Sequence, residues 1–147
     1  APTDTTPPQI PKNKECEVSD GGNVYCSPFP NGGAARSSGG NVYCGKGQCV
    51  RSGGGNVYCS GDAGGGAAVS GGGNAYCGKG QCAVSGGGNV YCSSVTGGGA
   101  AVSSGGNVYC GVGACSVSSG GNVYCAGGSV TCDSGNSCDS GGSCITP

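Results

Sequence analysis

Apolar residues along this chain fall in short alternating runs, and one run keeps returning. Asn-Val-Tyr-Cys, preceded each time by two glycines, makes a hexapeptide that begins at Gly21, Gly39, Gly54, Gly72, Gly87, Gly105 and Gly120, with Ala75 replacing Val in the fourth copy. Successive copies start 18 and 15 residues apart in alternation, so a long and a short unit together make a 33-residue repeat. Self-similarity at a fixed period marks a stacked architecture, in which each unit buries its face against its neighbours. Period-two alternation puts Val and Cys on one face of a strand and Asn and Tyr on the other. Val and Cys tolerate burial best. The predicted outward surface is therefore an aromatic stripe of Tyr25, Tyr43, Tyr58, Tyr76, Tyr91, Tyr109 and Tyr124, flanked by Asn23, Asn41, Asn56, Asn74, Asn89, Asn107 and Asn122.

Each unit has a second stretch able to extend, such as Ala67-Ala68-Val69-Ser70 or Cys82-Ala83-Val84-Ser85, and glycine clusters that permit tight corners separate the two. Two short strands per turn predict an all-β fold: a thin, disulfide-ribbed β-solenoid of about seven turns alternating 15 and 18 residues. The alternative is a glycine-rich polyproline II bundle, favoured by spacings that are multiples of three. Glycine does not recur at every third position, as close packing of such helices requires. An α-helix is disfavoured, because glycine costs roughly 1 kcal/mol per residue relative to alanine in a helix interior. The expected organisation is a Pro/Thr-rich N-terminal extension (1–20), the repeat solenoid (21–131) and a Cys-rich cap closing the open end of the stack (132–147). The extension is expected to be open to O-glycosylation and to lie along its own solenoid or against a neighbouring molecule.

Composition sharpens this picture. Of 147 residues 37 are glycine and one is phenylalanine, with no Trp or Met, so an ordinary hydrophobic core is out of reach. Fourteen cysteines are the substitute, at a density that reads as a disulfide framework in an oxidising, extracellular compartment. The opening Ala1-Pro2-Thr3 fits a secreted chain after removal of its leader. No stretch is long and apolar enough to span a membrane as a helix. With a net charge of −1 and basic residues scattered singly, the chain has no electrostatic footprint for nucleic acid or an anionic membrane.

The cysteines obey their own arithmetic. The hexapeptide supplies one per unit and the second stretch one in every other unit, giving an odd three per 33 residues. Two pairings are reasonable: Cys44–Cys49, Cys77–Cys82 and Cys110–Cys115 within a short unit, or Cys16–Cys26, Cys49–Cys59, Cys82–Cys92 and Cys115–Cys125 between consecutive units. Either leaves a series spaced 33 apart, free to bond along the stack, to remain as buried thiols or to cross to another chain. Cys132, Cys138 and Cys144, six apart, take up some of that surplus. Sequence alone does not fix the connectivity.

Catalysis is not expected. Histidine, the commonest general base, is missing, and the seven acids do not follow the repeat. The segments ending at Lys46 and Lys79 begin like a phosphate-binding loop, but Gly47 and Gly80 stand where the Mg²⁺-binding Ser/Thr belongs, so they read as turns. Asp133-Ser134-Gly135 and Asp139-Ser140-Gly141 lack the spacing of a calcium loop and read as Asx-type turns. Cysteines five apart could ligate zinc, but disulfides are the expectation at this cysteine density. No cofactor or metal is predicted.

In its small disulfide-ribbed turns, glycine corners and single stripe of repeated side chains, the chain resembles the β-solenoid antifreeze proteins of arthropods, including those with a tyrosine ladder. That resemblance implies adsorption to ice through the Tyr and Asn positions, disrupted by a bulky charge at Tyr76 or Tyr91. The commoner Thr-x-Thr face is missing, and turns of alternating length depart from uniform coils. The leading expectation is a secreted structural protein that assembles with copies of itself into an extracellular fibre, coat or matrix; ice binding is the alternative.

Overall fold

The computed structural model describes residues 15–146, so most of the expected N-terminal extension (1–14) lies outside the described residues. These residues are all-β, with no helix among them, and their short strands form small antiparallel sheets. Each hexapeptide strand pairs with the stretch that precedes it, making seven hairpins. In chain order they are β1 (Cys16–Val18) with β2 (Val24–Cys26), β3 (Ala34–Arg36) with β4 (Val42–Cys44), β5 (Cys49–Arg51) with β6 (Val57–Cys59), and β7 (Gly66–Val69) with β8 (Ala75–Gly78). There follow β9 (Cys82–Val84) with β10 (Val90–Ser93), β11 (Ala100–Val102) with β12 (Val108–Gly111), and β13 (Cys115–Val117) with β14 (Val123–Cys125).

The turn chemistry explains the pairing. In the first hairpin Ser19 N–H donates to Asn23 C=O at 2.9 Å and Gly22 N–H to Ser19 C=O at 2.9 Å. The second glycine of every hexapeptide is left-handed, with φ between 84° and 88°, the conformation that closes a three-residue hairpin loop with a bulge. The Gly-Gly-Asn signature is thus a hairpin turn, and it folds the chain back within the unit. Hexapeptide strands therefore share no sheet with one another, in contrast to the ladder of stacked copies expected from the repeat.

Hairpins contact their neighbours in sequence order. At the turns the layers are stitched by backbone bonds: Asp20 N–H to Gly40 C=O (3.0 Å), Ser38 to Gly55 (3.0 Å), Gly53 to Gly73 (2.8 Å), Gly71 to Gly88 (2.8 Å), Gly86 to Gly106 (2.8 Å) and Ser104 to Gly121 (3.0 Å). Between layers lies a core of sulfur and small side chains, including Cys26, Cys44, Cys59, Cys77, Cys92 and Cys110 with Val57 and Val90.

The C-terminal segment is not an end cap. It runs as a strap along the second edge of the hexapeptide strands, through β15 (Ser129–Val130) on β12, β16 (Cys132–Ser134) on β10, β17 (Asn136–Ser137) on β8 and β18 (Asp139–Ser140) on β6. Its register is regular: Val130 faces Cys110, Asp133 faces Cys92, Asn136 faces Cys77, Asp139 faces Cys59, Gly142 faces Cys44 and Ile145 faces Cys26. Three strap residues thus serve one hairpin.

All fourteen cysteines are bonded within the chain. Of the two pairings weighed, the structure holds Cys16–Cys26, Cys49–Cys59, Cys82–Cys92 and Cys115–Cys125, which join directly opposed positions of alternate hairpins with Cα atoms 3.9–4.0 Å apart. The intra-unit pairing does not occur, because the crossing after Cys44 delivers Cys49 into the next hairpin, opposite Cys59. In the intervening hairpins Ala34, Ala67 and Ala100 stand opposite Cys44, Cys77 and Cys110, which bond instead to Cys144, Cys138 and Cys132 of the strap.

Candidate interaction surface

Each hexapeptide contributes its two predicted surface residues differently. All seven Asn side chains are exposed beside the stitched turns. Their backbones close the hairpins, and the backbone N–H groups of Asn23, Asn74, Asn89 and Asn122 also donate to the hydroxyl oxygen of the turn serine, at 3.3–3.4 Å. In the middle of the stack the turns carry no side chain larger than hydrogen, at Gly53-Gly54-Gly55, Gly71-Gly72-Gly73 and Gly86-Gly87-Gly88. The result is a repetitive, uncharged edge of backbone and amide; Asp20, at its first turn, is paired with Arg36 at 3.2 Å.

The tyrosines point along the stack, toward the next hairpin. Tyr43 borders a groove with Asn56 and Val57, Tyr76 one with Asn89 and Val90, Tyr91 one with Asn107 and Val108, and Tyr109 one with Asn122 and Val123. Tyr25, Tyr43, Tyr58, Tyr76 and Tyr91 are half-buried as a result. Strap glycines fit beneath the rings: a methyl at Gly135 would lie 3.2 Å from both Tyr76 Cγ and Val90 Cγ1, and one at Gly141 the same from Tyr43 Cγ and Val57 Cγ1. What was expected as one flush aromatic stripe is a series of rings set between layers.

The stack therefore has direction. The Tyr side of one hairpin meets the Val/Cys side of the next, and among the described residues each end leaves one side bare. Val24 is 37% exposed where the equivalent Val57 and Val90 are 6% and 5%, and Tyr124, with no hairpin beyond it, is 64% exposed. Among the described residues the large apolar side chains that stand exposed gather at these ends: Val18, Val24, Phe29 and Ile145 at the first, Tyr109, Val112, Val117 and Tyr124 at the last. Lys46 Nζ lies 5.8 Å from the Phe29 ring centre and covers part of it.

Two further sets of residues were invisible as functional from sequence. Ser27, Ser60 and Ser93 are buried, donating to the carbonyls of Gly45, Gly78 and Gly111 at 2.8, 3.2 and 3.0 Å. Those three glycines admit the disulfide of the following hairpin: a methyl at Gly45 would lie 2.9 Å from Cys59 Sγ, at Gly78 2.8 Å from Cys92 Sγ, and at Gly111 2.7 Å from Cys125 Sγ. The alternation of Ser and Gly after the hexapeptide cysteine was the available signal. Among the described residues no group of three or more Cys, Asp or Glu is placed to hold a metal ion. Asp133 and Asp139 sit in strap strands opposite Cys92 and Cys59. No family model matches this chain, and neither a curated protein nor a solved structure is significantly similar to it.

Proposed function

We propose that this is a secreted, non-catalytic structural protein, a thin disulfide-ribbed solenoid with one hairpin per turn, whose copies abut end to end in an extracellular fibre, coat or matrix. Exposed apolar side chains gathered at the two ends of the stack carry this reading. An apolar surface left bare on a polar protein marks an interaction site, and two unlike ends make a head-to-tail contact that propagates. Seven disulfides are typical of extracellular proteins and fit the proposed location. With every cysteine bonded within the chain, the joint is non-covalent. Electron microscopy and sedimentation of the oxidised protein test the reading. Filaments are expected that shorten on dilution without reductant, and Val24→Asp or Tyr124→Asp should abolish them; a protein monomeric at every concentration refutes end-to-end assembly.

A second reading, ice binding, draws on the uncharged edge of stacked turns, whose regular repeat suits an ordered solid. It predicts thermal hysteresis that is lost when Gly72→Lys places a long charged side chain in the middle of that edge. Gly72 has no left-handed φ and only Asn74 Nδ2 and Ser70 Oγ nearby, at 3.8 and 3.9 Å, so the hairpin accepts the substitution. Absence of hysteresis in the wild-type protein removes this reading and leaves the first untouched.

A further inference from the structure

We infer that copies of this chain join in one orientation only, through a backbone hydrogen bond from the Ser119 N–H of one copy to the Gly22 carbonyl of the next. This joint presupposes the end-to-end assembly proposed above and adds the groups that close it. Inside the molecule every joint between successive hairpins carries the same bond. The residue after the turn serine donates its N–H to the second hexapeptide glycine of the following hairpin, from Asp20 to Gly40 at the first joint through to Ser104 to Gly121 at the last. Ser119 is next in the donor series, and Gly22 is first in the acceptor series. Among the described residues neither the Ser119 N–H nor the Gly22 carbonyl has a partner. Both residues are exposed. A methyl at Gly22 would meet nothing within 4 Å, whereas one at Gly73, Gly88 or Gly106 would lie 3.2–3.3 Å from the Cα of the turn glycine stacked against it.

The leftover pair selects its occupant. Backbone N–H and C=O groups each require a partner once water is excluded, and here a donor is left at the last end and an acceptor at the first. A second copy placed last end to first end satisfies both. Two first ends would oppose carbonyl to carbonyl, and two last ends N–H to N–H, so a closed two-fold dimer through these faces is disfavoured and the contact propagates. The side chains follow the same placement. Tyr109 borders a groove with Asn122 and Val123 of the hairpin beyond it, and in the joint Tyr124 takes the same position against Asn23 and Val24 of the next copy, covering apolar groups that the single chain leaves exposed.

Proline tests the bond directly, because it removes a backbone N–H and suits the second position of a tight turn. Ser119 occupies that position, since Gly121 N–H donates to Ser118 C=O at 2.9 Å. Ser119→Pro therefore deletes the donor and keeps the turn, and Ser119→Ala keeps both. In sedimentation and electron microscopy of the oxidised proteins, Ser119→Ala should form filaments at the wild-type concentration. Ser119→Pro should need roughly tenfold more protein, because its joint buries the Gly22 carbonyl without a donor. Mixing Ser119→Pro with Val24→Asp supplies one intact face from each, so dimers and nothing longer should form at concentrations where either alone stays monomeric. Hydrogen exchange in the wild-type protein gives a readout that needs no variant: the Ser119 amide should exchange fast in dilute solution and slowly in filaments. Wild-type protein that never assembles removes end-to-end assembly and this joint together. Wild-type filaments that a folded Ser119→Pro variant forms equally well overturn the joint and leave assembly standing, as does a Ser119 amide already protected in the dilute protein, which would place another occupant on that end. A mixture that yields only monomers, or oligomers beyond the dimer, overturns the single orientation.

Discussion

Replacing Gly78 with alanine tests the logic of the layer joints most directly. Gly78 ends β8, and the Cys82–Cys92 disulfide of the next hairpin projects against it; an added methyl would meet Cys92 Cβ and lie 2.8 Å from Cys92 Sγ and 3.6 Å from Cys82 Sγ. Those atoms belong to a cross-strand bond and cannot swing aside as a free side chain would. Overpacking of this kind costs typically 1–3 kcal/mol, and a covalently held neighbour argues for about 3. Gly54→Ala is the matched comparison. Gly54 occupies an exposed turn without left-handed φ, and its nearest atoms, Ser52 Oγ and Asn56 Nδ2, are 3.8 and 4.0 Å from the added carbon. Both substitutions stiffen the unfolded chain equally, a gain of about 0.5 kcal/mol. The difference between them therefore isolates the clash. For a chain of this size about 3 kcal/mol corresponds to roughly 10 °C in melting temperature, well within reach of scanning calorimetry on the oxidised proteins. If the two variants melt within about 2 °C of each other, disulfide-against-glycine packing does not hold the layers together and this account of the repeat fails.

Removing a strap disulfide should cost more than removing a cross-strand one. The 61-residue separation of Cys77–Cys138 corresponds to about 4 kcal/mol of loop entropy and the 10-residue separation of Cys82–Cys92 to about 3, and the ordering of the two double-alanine variants in thermal unfolding checks this. Ser60→Ala leaves the Asp62 N–H and the Gly78 carbonyl without their hydroxyl partner; a loss of about 1–2 kcal/mol and faster amide exchange at Asp62 should follow. Asp20→Asn breaks the exposed Arg36 pair and should change stability by less than about 1 kcal/mol. Finally, Ala126 stands where Gly45, Gly78 and Gly111 admit an incoming disulfide. Ala126→Gly should therefore tighten a head-to-tail joint and lengthen the filaments seen by electron microscopy.

Much of this was legible in the chain because glycine and cysteine carry so much of the structure. The 33-residue period, the absence of helix and the two short strands per unit follow from the spacing of Asn-Val-Tyr-Cys. The sheet topology did not, because a strand-forming run states only that it will extend, and the same run serves a ladder of stacked copies or a hairpin. The deciding signal was the second glycine of each hexapeptide, whose left-handed φ closes a turn between the serine and the asparagine. The direction of the tyrosines was similarly hidden: period two separates Tyr from Cys, but only the stacking order shows that one face looks up the stack and the other down. The strap was the least visible element. Its cysteines six apart announced a relation to the surplus series 33 apart, yet nothing in a local reading of 132–147 says that the segment lies alongside hairpins as early as the one that holds Cys26.

The three-to-one correspondence between tail residues and hairpins makes the protein's length a coupled quantity. Growth by tandem duplication of one 33-residue pair would add a cysteine with no partner unless the tail gained six residues and a cysteine of its own. Descendants of different length should therefore obey a single ratio between body and tail, and a chain that breaks it would carry one reactive thiol. A designer wishing to extend or trim this scaffold has the same rule to follow, with the tail acting as a ruler that reads off the number of layers.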